Sequence, residues 1–148
     1  MRLMSPGAWC LGVAFLVLPG RAALVELTPG AQHFQSGLAY ERLGRLYESY
    51  TELQLASNLD PENSQVAVAL GTVASRLGHY DEALRALEHA IALDANSCGS
   101  YFELALLYEK KGLTDRALDS WNRFSALNHD EVLKAIARKH LTYLQGRS

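Results

Sequence analysis

From about residue 30 to residue 144, apolar and small side chains recur at spacings of three and four, interrupted at regular places by glycine, aspartate, asparagine and proline. That is the periodicity of amphipathic helices that each bury one face. In one stretch Val66, Leu70, Val73 and Leu77 form a stripe, Gly78-His79 breaks it, and Ala83, Leu84, Leu87, Ala90 and Ile91 form the next. The pattern predicts two helices joined by a tight turn whose glycine takes a positive φ. Asp81-Glu82 and Thr114-Asp115 would bring oxygen acceptors and negative charge to the start of the helix after such a turn. Asp60-Pro61 predicts a sharp helix end, because proline keeps the residue before it out of the helical region.

The pattern repeats with an offset of 34 residues. Gly44, Gly78 and Gly112 share one register position, as do Gly37, Gly71 and Ala105; Leu53, Leu87 and Trp121; Ala56, Ala90 and Phe124; and Leu59, Leu93 and Leu127. Three units follow, 30–63, 64–97 and 98–131. Small residues alternate with large ones at fixed places, as close-crossing helix pairs require. A last stripe of Val132, Leu133, Ile136, Ala137, Leu141 and Leu144, with Lys134, Arg138 and Lys139 opposite, predicts a single helix over 132–144 that caps the open end of the stack.

These residues resemble the tetratricopeptide repeat (TPR) family. The second unit matches with Leu70-Gly71, Leu77-Gly78, Tyr80, Ala83, Leu87 and Ala90, and the third with Tyr101, Leu104-Ala105, Tyr108, Gly112, Ala117 and Trp121. The first unit keeps Gly37, Tyr40, Gly44, Leu53, Ala56 and Pro61 but has His33, Ser36 and Ser49 where apolar or small residues are usual. The resemblance implies an all-α fold over 30–148: a right-handed solenoid of three stacked helix-turn-helix hairpins plus a C-terminal capping helix. It also implies a non-catalytic adaptor or scaffold whose first helices line a concave groove for a segment of another protein.

On that template the groove residues are Phe34, Leu38, Arg42, Val68, Thr72, Arg76, Phe102, Leu106 and Glu109, an apolar floor with a charged rim. Apolar residues with no packing duty in the stack would leave a patch for a partner; the alternatives are that they pack on neighbouring helices or lie under the amino-terminal segment. Members of the family that grip a peptide carboxylate do so with Lys, Asn and Arg, at positions occupied here by Phe34, Leu38, Ala69, Gly99 and Glu103. The expected ligand is therefore an amphipathic helix or an apolar extended segment. The competing reading is a scaffold that associates with itself as a homo-oligomer.

The amino terminus has a different character. Met1-Arg2 is basic, residues 8–18 are uncharged and mostly apolar, and Pro19-Gly20-Arg21-Ala22 ends the run. This is the layout of a secretory signal peptide over 1–22. Eleven helical residues would span only about 16 Å, roughly half a bilayer's hydrocarbon core. The expectation is an exported protein, periplasmic or secreted and acting in assembly at the cell envelope. A chain anchored in the membrane through 3–20, or a terminal helix packed on the domain, are the alternatives.

Composition narrows the function further. With 14 basic against 16 acidic residues there is no charge excess to hold nucleic acid. Five histidines form no HExxH and no i, i+4 pair, and no phosphate-binding or nucleophile-elbow motif occurs. We expect no metal, no cofactor and no catalysis. Two cysteines, Cys10 and Cys98, fit no zinc spacing. Cys98, between the second and third units, reads as a small apolar filler, with a reactive thiol as the alternative.

Overall fold

The computed structural model describes residues 13–18 and 21–146. Seven helices lie among them: α1 (Pro29–Arg42), α2 (Leu46–Leu59), α3 (Ser64–Leu77), α4 (Tyr80–Leu93), α5 (Cys98–Lys110), α6 (Thr114–Leu127) and α7 (Glu131–Gln145). Helices α1 and α2, α3 and α4, and α5 and α6 pair as hairpins, and each hairpin packs on the next through α2 with α3 and α4 with α5. The first helices of successive hairpins also touch, α1 with α3 and α3 with α5, so they share one face of an all-α solenoid.

Each hairpin turns in the same way. Gly44, Gly78 and Gly112 have φ of 73°, 85° and 70°, the region where a Cβ is penalised. The next residue's N–H then reaches back to a carbonyl five residues earlier: Arg45 to Tyr40, His79 to Ala74 and Leu113 to Tyr108, each at 2.9 Å. The helices after these turns carry no side-chain cap, so Asp81, Glu82 and Asp115 act as charges in the first turn rather than as caps. Side chains cap α1, α3 and α7, whereas α5 starts without one. Thr28 accepts from Ala31 N–H, Asn63 from Gln65 and Val66, and Asp130 from Val132 and Leu133.

Close crossing holds each hairpin together. A Cβ on Gly37 would lie 2.7 Å from Leu53 Cγ, and one on Gly71 would lie 2.6 Å from Leu87 Cγ. Trp121, at the place of those leucines in the third unit, is fully buried, as are Ala83, Ala90, Ala105 and Ala117. Two of the first unit's departures from the pattern have partners. Ser49 is buried and donates to the Gly37 carbonyl at 2.8 Å, and His33 Nδ1 lies 2.8 Å from Glu52.

Helix α7 differs from the expected cap. Of its apolar stripe, Ala137 and Leu144 are buried and Leu141 is partly buried, whereas Leu133 and Ile136 are exposed and Val132 is 71% exposed. The helix packs on α6, and its His140 pairs with Glu109 of α5. Among the described residues no helix is long and apolar enough to cross a membrane.

Two antiparallel strands, β1 (Val13–Leu18) and β2 (Arg21–Glu26), precede the helices, with Val13 opposite Glu26 and Leu18 opposite Arg21. This part of the apolar run is extended rather than helical, in keeping with its valines and phenylalanine. The rest of the predicted signal segment, residues 1–12 and 19–20, lies outside the described residues.

Candidate binding groove

The shared face of α1, α3 and α5 holds a cleft of about 320 Å³ at its α3–α5 end. Val68 and Thr72 from α3 form one wall, Cys98, Gly99, Phe102 and Glu103 from α5 the other, and Phe124, Asn128 and Leu133 close it from α6, its C-terminus and α7. The floor is aromatic. The Phe102 ring sits 5.2 Å from Phe124 and 5.5 Å from Trp121, centroid to centroid, the latter edge to face. Gly99 keeps the cleft open, since a Cβ there would meet only Val68 Cγ1, at 3.8 Å.

The polar groups in this wall are few. Thr72 donates its hydroxyl to the Val68 carbonyl within α3. Asn128 accepts from Asp130 N–H at 2.9 Å through Oδ1, while its Nδ2 is buried and has no partner. Burial pushes the Cys98 thiol above its usual range, which reduces thiolate and makes this cysteine a poor nucleophile. The Glu103 carboxyl is also held above the ordinary carboxylate range, first by burial and then by the negative charge of Glu41, with Arg76 opposing. Arg76 itself is committed to Glu41, donating at 2.8 Å across α1 and α3.

The nine residues singled out in the sequence are spread over several environments. Val68, Thr72 and Phe102 meet in the cleft. Phe34 and Leu38 do not lie free on the face: both are half-buried against Leu53, Ala69 and Val73. Phe102 likewise packs on the core cluster around Trp121 and Phe124. The expectation that these residues have no packing duty is therefore corrected. Neighbouring first helices lie close enough to take up much of each apolar side chain. Arg42 is exposed at the end of α1, and Arg76 is tied to Glu41.

Leu106 and Glu109 line a separate hollow of about 550 Å³ with Lys110, Thr114 and Tyr143. Its charged groups are engaged: Glu109 accepts from Trp121 Nε1–H at 2.5 Å and pairs with His140 at 2.9 Å, and Lys110 lies over the Tyr80 ring at 4.8 Å. The sequence pattern puts Leu133 on the buried side of the cap and Phe124 in the hairpin core, and so predicts neither at the cleft. Only the placement of α7 beside α6 reveals them. Among the described residues no three His, Cys, Asp or Glu side chains are grouped to hold a metal ion.

Comparison with known proteins gives one family match: residues 64–97, which span α3, α4 and the turn after them, match the tetratricopeptide repeat. The chain is 30% identical to Superkiller protein 3 of Schizosaccharomyces pombe over 105 residues, 65% of this chain and 8% of that protein. It spans less than a fifth of the length of the curated relatives it matches. Among solved structures, it resembles the Yersinia enterocolitica type III secretion chaperone SycD, solved in complex with a peptide of the translocator YopD. The TM-score is 0.74 and the identity 18%, covering 78% of this chain and 92% of that one. PcrH, solved in complex with the chaperone binding region of PopD, gives 0.74 at 23% identity, covering 78% and 90%.

Proposed function

From a chain built of tetratricopeptide repeats, we propose a non-catalytic adaptor that binds an apolar segment of another protein in the α3–α5 cleft. One observation carries this: the aromatic-floored cleft of about 320 Å³ on the shared face of the first helices, which Gly99 leaves open. Two chains of similar fold, SycD and PcrH, have been solved with segments of partner proteins, which supports the same use of this one. The proposal extends to a place in the cell envelope or secretory space, resting on the signal-like pattern of residues 1–22. Recovery of the native protein with residues 1–22 still attached would contradict a cleaved signal there.

The test uses a random dodecamer library displayed on phage, panned against the full chain and against Gly99→Trp. The new side chain would fill the cleft while leaving the core untouched, because a Cβ at this place has space. Peptides enriched on the parent should be rich in apolar residues and lose binding to Gly99→Trp. Equal binding to both proteins would place the site elsewhere.

A second reading, self-association, has its own observation. The cap leaves Val132, Leu133 and Ile136 exposed on one helix, an apolar strip of the kind that an identical copy can cover. Sedimentation at micromolar concentration separates the two. A dimer that Val132→Lys returns to monomer would support it, and a monomer throughout would remove it.

A further inference from the structure

An ion pair joins α1 to α3 on the face they share with α5, and Glu103 of α5 feels the charge of both its members. Arg76 donates to Glu41 at 2.8 Å, and the Glu41 side chain is only 25% exposed. Glu103 lies within the influence of both but takes no hydrogen bond from any described residue. It is half-buried and forms part of the cleft wall between Phe102 and the α3 side. The trio carries a net charge of −1 when both carboxylates are ionised, and the surplus sits on the acid that borders the apolar cleft. A half-buried carboxylate without a partner is unfavourable in the free protein. Its pKa, held up by burial and by Glu41, reports that cost. A cation from outside would remove it.

We propose that the segment bound in the cleft carries a lysine or arginine within four residues of its apolar anchor, and that Glu103 is the residue that selects it. The apolar side chain enters between Val68 and Phe102, and the cation docks on the Glu103 carboxylate. The partner donates N–H groups, and Glu103 accepts. Glu41 adds long-range attraction for the cation, and the two carboxylates together repel an acidic residue at the same place and so sharpen the choice; Arg76, already paired with Glu41, offsets this only in part. The sign of this preference is opposite to that of a groove that clamps a carboxylate. It rests on the cleft being the binding site, and it names the chemistry read there.

The same displayed dodecamer library tests it with two further variants, Glu103→Gln and Glu103→Lys. On the parent, enriched peptides should pair an apolar residue with a Lys or Arg within four positions. Replacing that basic residue by Gln in a synthetic copy should weaken binding about tenfold in fluorescence polarisation. On Glu103→Gln the apolar preference should persist while the basic preference disappears, and the penalty for the Lys or Arg to Gln change should fall to less than twofold. On Glu103→Lys, acidic residues should replace basic ones beside the same apolar anchor. Peptides that lose binding to Gly99→Trp yet show no basic residue, or keep it against Glu103→Gln, would overturn the role of Glu103 and leave the cleft standing. Peptides indifferent to Gly99→Trp would remove the cleft itself and this inference with it.

Discussion

Glycine has opposite meanings at two neighbouring places in this chain. Gly71 lies where α3 crosses α4, with no space between its Cα and the Leu87 side chain, whereas Gly99 faces the open cleft. Gly71→Ala should therefore lower stability by about 1 to 3 kcal/mol in urea denaturation, because the buried Leu87 must move. Gly99→Ala should leave it unchanged or raise it. Phe102, like Phe34 and Leu38, packs on the core where the sequence pattern predicts a free anchor. Read as a free anchor, its truncation would be harmless to the fold. Packed against Trp121 and Phe124, it should cost about 2 kcal/mol as Phe102→Ala, less than the 3 to 5 of a fully enclosed phenylalanine. Binding by that variant must therefore be measured well below its melting temperature.

Glu103 makes a prediction of the opposite sign. Its carboxyl titrates higher in the folded chain than in the unfolded one, so in that window the folded state holds more protons and stability falls as pH rises through it. At neutral pH, Glu103→Gln should melt at the same temperature as the parent or higher, and the gain should vanish on acidification below the ordinary carboxylate range. The groups that face Glu103 in this balance are Glu41 on α1 and Arg76 on α3. A Glu103→Gln protein that melts lower at neutral pH would show that the carboxylate contributes to the fold.

At the scale of the helices, the hairpin unit was legible because its rules are local. A glycine with positive φ, a small residue at the crossing and a large one opposite it recur at fixed spacing, and the chain obeys them in all three units. Ala83→Leu should accordingly lower the melting temperature clearly, whereas Arg85→Leu on the exposed side should not. The register of α7 was less legible. Its apolar stripe is wide enough to bury six residues, but only part of it is buried, and the polar trio of Glu109, Trp121 and His140 joins α5, α6 and α7. The His140 ring also stacks on Trp121 at 4.5 Å. His140→Ala should therefore speed amide exchange along α7 without affecting α3 and α4; uniform exchange would mean that α7 is held by its apolar contacts alone.

For the whole molecule, stability and recognition depend on neighbours rather than on distant parts, as in any stack of repeats. That is why the fold could be read from one periodicity while the groove could not. Which residues line the first helices follows from register. How deeply Phe34 and Leu38 sink between α1, α2 and α3, and how Phe124 and Leu133 come to border a cleft built on α3 and α5, depend on the curvature that successive hairpins impose. The pairing of Arg76 with Glu41 across two units has the same origin, and it leaves Glu103 as the unpaired acid on the face.

The central claim is that the α3–α5 cleft is the working surface of the chain. Titration of the tightest selected dodecamer into isotope-labelled full-length protein, followed by amide and methyl NMR, tests it most directly. The prediction is that shifts concentrate on Val68, Thr72, Gly99 and Glu103 and are absent from the exposed outer residues Tyr47 and Leu55 of α2. Shifts centred on α2 or on the Val132–Ile136 strip of α7, with the cleft silent, would contradict it.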